Sequence, residues 1–200
     1  EKEISVDDNV TISYTASKVP YGVKMNAGET FTVEELLKAT AIRSSNDAAY
    51  ALAEYVSHGD VYDFVDKMNE RARSMGLDSL RYCTPHGLPP GNTGTCMDQG
   101  NAYDIYKLAM TAIQYPEYMN IADKSSDYIK DGTIQLKATN NLLGKVEGVD
   151  GLKTGYHKAA GSNIVLTAER DGLRMIAVVM GSEKSKNRDT VGADEMNSFF

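Results

Sequence analysis

The sequence predicts an α+β protein, in which a helical lobe packs on an antiparallel sheet flanked by helices. Apolar residues between positions 30 and 120 recur at helical spacing, whereas those between 130 and 181 alternate or form short β-branched runs. Helices and strands that are segregated along a chain are typical of the α+β class. We therefore divide the chain into an entry segment of loop and extended pieces (1–29), a helical lobe (30–125) and a sheet lobe (126–200).

The helical lobe is predicted to begin with a capping box. Thr32 and Glu35 have the spacing at which each side chain accepts a hydrogen bond from the other residue's backbone N–H. Gly76 is suited to follow the end of a helix, and Pro116 to stop one. After the helix that starts at Thr32, further helices are predicted at about 47–56, 61–75 and 102–114.

The sheet lobe is predicted to contain short strands and a closing helix. Asp171-Gly172 is a dipeptide that favours the tight turn of a β-hairpin. The strands are predicted at 133–137, 151–156, 164–167 and 175–180, and the helix at 189–200.

Composition excludes several classes of function. The chain has 28 acidic and 21 basic residues, a net charge of −7, and phosphate binding needs a basic surface. No apolar run is long enough for a transmembrane helix. The two cysteines lack the spacing of common zinc motifs.

The start of the chain suggests processing. Glu1 is followed by no apolar leader, so we expect a processed product or a piece of a longer protein.

Ser44-Ser45-Asn46 lies between two predicted helices. In a tight turn, the hydroxyl of Ser44 and the carboxamide of Asn46 can point to one site. The alternative interpretation is a helix N-cap, because Ser and Asn are preferred there. The two interpretations are compatible, since a capped helix would hold the turn rigid.

Lys153-Thr154-Gly155 lies on a predicted strand next to the hairpin. A cation, a hydroxyl and a glycine on an edge strand suit an extended, anionic ligand, because glycine lets another backbone approach closely. The alternative is a solvated edge-strand lysine that protects the sheet from aggregation.

The two motifs together resemble those of the active-site serine penicillin-recognising enzymes, in the same order. The sequence around the two motifs is similar to that of the low-molecular-weight penicillin-binding proteins, which are D-alanyl-D-alanine carboxypeptidases. The segments that carry this resemblance are residues 28–33, 44–54, 84–88 and 148–156.

One motif of that family is missing. The family's nucleophile belongs to a Ser-x-x-Lys motif, and no lysine here follows a serine at that spacing. The nearest pattern, Thr15-Ala16-Ser17-Lys18, has Thr in place of Ser and falls in a predicted loop. We expect the nucleophile in a preceding segment that also supplies strands, so that the sheet here is incomplete. A naturally inactive homologue that still binds peptidoglycan is the alternative.

The resemblance implies cleavage of a D-Ala-D-Ala peptide bond through an acyl-enzyme, which β-lactams would also form. Ser44 would relay a proton to the leaving amine and Asn46 would orient the substrate amide. Lys153 would supply positive potential for the anionic intermediate. The substrate-binding residues would be Thr154, Gly155 and Tyr156, with the Tyr156 N–H in the oxyanion hole.

The same resemblance implies partners and a location. The partners would be peptidoglycan stem peptides and β-lactams in the extracytoplasmic envelope, with membrane attachment only through segments outside this chain. No metal or organic cofactor is expected. A serine β-lactamase is a third hypothesis, but the Glu-x-x-x-Asn context of class A enzymes fails at Glu117, which is followed by Ile121.

Four further residues are weaker candidates for function. His157 is either exposed on its strand or at the rim of the cleft, where it could titrate near neutrality. His86 lies in a Pro-His-Gly turn and is expected to fix the loop rather than to catalyse. Cys83 and Cys96 form a disulfide if the compartment is oxidising, or are two thiols.

Overall fold

A computed structural model describes residues 4–89 and 95–200. Among these residues, a strand, a helix and a second strand come first, and are followed by five consecutive helices, five consecutive strands and a final helix. The helices of the described residues are α1 (Tyr14–Lys18), α2 (Val33–Arg43), α3 (Asn46–Val56), α4 (Val61–Ser74), α5 (Ala102–Ala112), α6 (Pro116–Ala122) and α7 (Ser185–Phe199).

The strands form three antiparallel sheets, β1-β2, β3-β4 and β5-β6-β7. The α+β class predicted from the sequence is thereby confirmed. The strands are β1 (Asn9–Thr11), β2 (Thr30–Thr32), β3 (Ser126–Ile129), β4 (Ile134–Lys137), β5 (Val149–His157), β6 (Gly161–Arg170) and β7 (Leu173–Ser182).

The first hydrophobic core is built around α2. The capping box of Thr32 and Glu35 is present, and it fixes the start of the helix directly after β2. The core draws on all three segments of the sequence, so the predicted domain boundaries remain predictions. Its fully buried members include Ile12, Met25, Phe31, Leu36, Ala39, Ala48 and Leu136.

The second core lies between the larger sheet and α7. On β6, Ile164, Leu166 and Ala168 alternate along one face and are buried, as the two-residue period of a strand requires. Met196 of α7 covers them and is itself fully buried. Helix α7 packs across β6 and β7, whereas α6 contacts β5.

The outer edge of β7 is open. Among the described residues, β7 pairs with β6 alone, and its six apolar residues 175–180 line a cavity of about 360 Å³ together with side chains of α7. Met180 is 45% exposed. The sheet is incomplete as predicted, because β7 is an apolar strand with one edge unpaired among the described residues.

One prediction of secondary structure was wrong, and α6 and β3 were not predicted. Residues 14–18 are helical rather than loop, because Ser13 caps a single turn by accepting a hydrogen bond from Ala16 N at 2.9 Å. Pro116 follows the end of α5, as predicted, but it also occupies the first position of α6, a helix that was not predicted. Proline is tolerated there because the first N–H of a helix has no partner within the helix. Strand β3 was not predicted because it has little hydrophobic pattern, with Ile129 as its one buried residue.

The other predicted helices and strands match the structure to within a few residues. The hairpin turn uses positive φ at Asp171 and Gly172, and Gly76 follows α4 with a φ of 65°. Helix α7 begins four residues earlier than predicted, at Ser185 rather than 189. Within residues 4–89 and 95–200, no helix is both long enough and apolar enough to cross a membrane.

Candidate active site

Ser44 lies in the short turn between α2 and α3. It is the C-cap of α2 in the left-handed conformation (φ 59°, ψ 45°), which reverses the chain before α3 begins. Ser45 follows as the N-cap residue of α3, and its N–H donates to Ala39 O at 3.1 Å. The turn is therefore fixed by the ends of two helices.

A buried carboxylate holds this turn from behind. Asp47 is 2% exposed and accepts hydrogen bonds from Met25 N at 3.1 Å and from its neighbour Ala48 N at 2.9 Å. The Ser45 hydroxyl donates to the same carboxylate and accepts from Val23 N at 2.9 Å. The N-cap interpretation is thus right for the position of Ser45, but its side chain makes no cap hydrogen bond.

Asn46 is the first residue of α3 and stands beside the loop that precedes β2. Its side-chain amide donates to Pro20 O at 2.9 Å. The carboxamide oxygen is the end of the side chain that can serve a ligand in this arrangement. Asn46 therefore lies next to Ser44, but its side-chain NH2 group is already hydrogen-bonded to the protein.

Lys153 brings the second motif to the first. It lies on β5 opposite Val165, and its ammonium donates to Ser44 Oγ at 2.7 Å and to Thr154 O at 2.6 Å. Ser44 and Lys153 are 109 residues apart in sequence. The Lys153 ammonium of the edge strand β5 thus lies against the turn between α2 and α3.

The environment makes the Lys153 ammonium unusually acidic. Burial, and to a smaller extent the positive charge of Arg188, lowers its pKa to about 8. Arg188 itself is 4% exposed and donates to Asp189 Oδ1 from two guanidinium nitrogens, at 2.8 and 2.6 Å. Lys153 can therefore hold or release a proton near neutral pH.

The remaining motif residues continue along β5. The hydroxyl of Thr154 is buried and lies 2.6 Å from the hydroxyl of Thr139, whose N–H donates to Ile42 O. Gly155 and Tyr156 are exposed, and nothing lies within 4 Å of the place where a Cβ on Gly155 would stand. The strand is thus firmly held at Lys153 and Thr154 and open beyond them.

The other sequence candidates lie around the site. His86 stacks on Tyr50 and accepts a hydrogen bond from Leu88 N at 3.2 Å, and burial lowers its pKa to about 4. His157 accepts from Ala160 N at 3.1 Å in the turn after β5. These contacts suit loop-fixing roles.

Cys83 and Cys96 are paired in a disulfide with a Cα–Cα distance of 5.8 Å, which decides between the two alternatives. The bond lies beside Asp98, whose carboxylate accepts from Cys83 N at 2.8 Å. Burial raises the pKa of Asp98. No cluster of three metal-ligating side chains occurs within the described ranges 4–89 and 95–200.

Two contributors to the site escaped the sequence reasoning. Asp47 and Thr139 act through hydrogen bonds to Ser45 and Thr154, and neither was given a role from the sequence. Gly22 is the residue that could have pointed to Asp47, because a Cβ on Gly22 would overlap the Asp47 carboxylate. Thr15-Ala16-Ser17-Lys18 forms α1, where the Lys18 ammonium lies over the Tyr14 ring at 4.9 Å.

A Ser-x-Asn turn between two helices, with a Lys-Thr-Gly edge strand against it, is the arrangement of the active-site serine penicillin-recognising class. Comparison of the whole chain makes the assignment specific. Residues 1–184 match the Peptidase_S11 family of D-alanyl-D-alanine carboxypeptidases, and the chain belongs to that family.

Individual relatives agree with this assignment. The chain is 34% identical over 191 residues to the D-alanyl-D-alanine carboxypeptidase DacF of Bacillus subtilis, which covers 94% of this chain and 48% of DacF. The chain thus spans about half the length of that relative. It also resembles the Streptomyces K15 DD-transpeptidase, with a TM-score of 0.88 and 26% identity, over 98% of this chain and 80% of that one.

A ligand-bound structure is among the similar ones. Penicillin-Binding Protein D2 of Listeria monocytogenes, in its ampicillin-bound form, matches with a TM-score of 0.82 and 28% identity, over 96% of this chain and 77% of that one. These similarities are to the fold and the sequence as a whole.

Proposed function

We propose that the protein to which this chain belongs is a serine-type D-Ala-D-Ala carboxypeptidase. It removes the terminal D-alanine of peptidoglycan stem peptides, and β-lactams acylate it. The observation that carries the proposal is the 2.7 Å contact between Lys153 Nζ and Ser44 Oγ, in a chain of this family. Ampicillin in the related Listeria protein supports the β-lactam part.

The reaction exchanges a peptide bond for an ester and then for an acid. The oxygen of a serine attacks the carbonyl between the two D-alanines, its proton leaves to a base, and the C–N bond breaks as the amine takes up a proton. Ser44 is suited to pass that proton, because its oxygen already accepts a hydrogen bond from Lys153. Water then cleaves the ester and regenerates the serine.

The other residues bind and orient. Lys153 places a buried positive charge near the anionic intermediate and the substrate carboxylate, where low local polarity strengthens the attraction. Thr154 donates a hydrogen bond to that carboxylate, while its oxygen can accept a hydrogen bond from the Thr139 hydroxyl. Asn46 orients the acyl amide, Gly155 leaves space for the peptide backbone, and the Tyr156 N–H joins the oxyanion hole.

The attacking serine is proposed to lie outside these 200 residues, since no Ser-x-x-Lys occurs in them. The unpaired apolar edge of β7 gives the segment that carries it a place to join the sheet. A chain without that segment would bind peptidoglycan without cleaving it, which is the second candidate function.

The protein is proposed to act in the extracytoplasmic envelope, where its peptidoglycan substrate lies. The Cys83–Cys96 disulfide supports this location, because such bonds persist in oxidising compartments. Any membrane attachment would come from segments outside this chain.

A fluorescent penicillin tests the proposal. We expect the full-length protein to become covalently labelled and to release D-alanine from a peptide that ends in D-Ala-D-Ala. Absence of both signals would favour the binding protein, and rapid turnover of the penicillin without D-alanine release would favour a β-lactamase. Labelling of the 200-residue chain alone would contradict an external nucleophile.

A further inference from the structure

A short loop is fastened to the Ser-x-Asn turn by three separate hydrogen bonds. We call residues 20–25 the Tyr21 loop. Its Pro20 O accepts from Asn46 Nδ2 at 2.9 Å, and its Met25 N donates to Asp47 Oδ2 at 3.1 Å. The third bond runs from Val23 N to Ser45 Oγ at 2.9 Å. Each of three consecutive residues, 45 to 47, therefore holds one point of the loop.

The loop keeps a conformation that its sequence does not favour. Tyr21 and Lys24 have φ values of 63° and 64°, in the left-handed region where residues with a Cβ are uncommon. Gly22 has no room for a side chain, because a Cβ would overlap the carboxylate of Asp47. Strain of this kind persists where the surroundings fix it, and it concentrates at functional sites.

The strained position presents a large aromatic side chain to solvent. Tyr21 is 80% exposed, although it lies one residue from the carbonyl that holds Asn46. Within the described part of the chain, no other ring or cation stacks on its face. The uncommon backbone conformation thus holds an exposed ring one residue from the contact with Asn46, and that ring stacks on no other ring or cation within the described residues.

We propose that Tyr21 is a specificity-determining residue, which packs against the residue that precedes the two D-alanines of the peptide. This rests on the proposed function, in which Asn46 orients the amide on that acyl side. A tyrosine ring suits the task, because it buries a large apolar surface and offers a hydroxyl at its edge. Tyr156, also exposed, lies three residues after Lys153 on the opposite, sheet side of the site.

The inference predicts a difference between long and short peptides. In the full-length protein, Tyr21→Ala should lower kcat/KM about tenfold for a pentapeptide ending in D-Ala-D-Ala, the usual scale for losing a packed aromatic contact. For N-acetyl-D-Ala-D-Ala, which lacks the preceding residue, the same variant should stay within about twofold of wild type. Tyr21→Phe should retain most activity on both peptides. Tyr62→Ala is the matched control, because Tyr62 is 84% exposed on α4.

A binding measurement separates this inference from the proposed function. The probe is the pentapeptide with a ketomethylene group in place of the scissile amide, titrated by calorimetry. Weaker binding by Tyr21→Ala than by wild type supports the inference even if wild type cleaves neither peptide, in which case the proposed function alone fails. Equal losses on long and short peptides, unchanged kinetics, or equal affinity of both proteins for the probe would overturn it.

Discussion

The two edges of the larger sheet differ in chemistry and in what covers them. On β5, Lys153 and Thr154 are hydrogen-bonded to residues of other elements, Ser44 and Thr139, and Gly155 faces open space. On β7, six consecutive apolar residues border a cavity of about 360 Å³, and the backbone has no second partner among the described residues.

This difference shows how one sheet can serve two kinds of binding. A polar edge with a buried cation suits a small anionic ligand, because charge and hydroxyl groups are already oriented. A long apolar edge suits a protein strand, because it offers both a ladder of backbone groups and area to bury. We therefore propose that substrate binds along β5 and that a protein segment pairs with β7.

The largest expected effect comes from removing the cation of the polar edge. In the full-length protein, Lys153→Ala should slow acylation by a fluorescent penicillin about 10²–10³-fold, the scale for loss of one preorganised electrostatic group. The rate of label incorporation measures this. Lys145→Ala serves as the control, and a Lys153 variant that labels as fast as the control would contradict the assignment of β5.

Two glycines, one on β5 and one just before it, should separate ligand binding from folding. Gly155→Val should raise KM about tenfold, or about 1.4 kcal/mol, because the side chain fills space meant for the peptide. Its free energy of unfolding should change by less than about 0.5 kcal/mol.

Gly148→Ala should do the opposite. Gly148 has a φ of 74°, and an added Cβ would overlap the carbonyl oxygen of Glu169. The variant should lose about 1–3 kcal/mol of stability in urea unfolding. Equal stability losses for both glycine variants would show that the space beside Gly155 is structural.

The acidity of Lys153 should give opposite pH trends for stability and ligand binding. Its pKa is about 8 when folded and 10.5 as the ordinary value, so between these pH values the unfolded state binds more protons and stability rises with pH. Over the same range the folded ammonium loses its charge, so KM for a peptide carboxylate should rise. Unfolding and kinetics of wild type and Lys153→Met, compared from pH 7 to 10, measure both. Parallel curves for the two proteins would contradict the assignment.

The smallest effect concerns the apolar edge. The 200-residue chain should bind the dye 1-anilinonaphthalene-8-sulfonate more strongly than the full-length protein, because the proposed preceding segment would cover β7 there. Val178→Lys should reduce dye binding by the 200-residue chain, while Val6→Lys, at a residue 46% exposed elsewhere, should not. Equal dye binding by the chain and the full-length protein would show that β7 stays open.

Local signals predicted much of this fold, and the helices that were missed are short. The capping box at Thr32 and the Asp171-Gly172 turn each act within a few residues, so the sequence displays them directly. A single capped turn such as α1 is too short to show helical periodicity. Pro116 follows the end of one helix and begins the next, and a proline in sequence does not show which of these two roles it has.

The candidate site shows the same limit more sharply. Ser44 and Lys153 were paired through resemblance to a family, because no spacing rule links residues 109 positions apart. Asp47 and the Tyr21 loop were missed, because their bonds join residues 22 positions apart and depend on the packed helix ends. The sequence displays the groups that face a ligand more readily than the groups that hold them.

The most direct test of the central claim is a double-mutant cycle on the contact that carries it. The release of D-alanine by the full-length protein would be measured for Ser44→Ala, Lys153→Ala and the double variant. If the two residues act as one unit across their 2.7 Å contact, the double variant should be about as slow as the slower single variant. Losses that multiply fully, or single variants that keep wild-type rates, would contradict the claim.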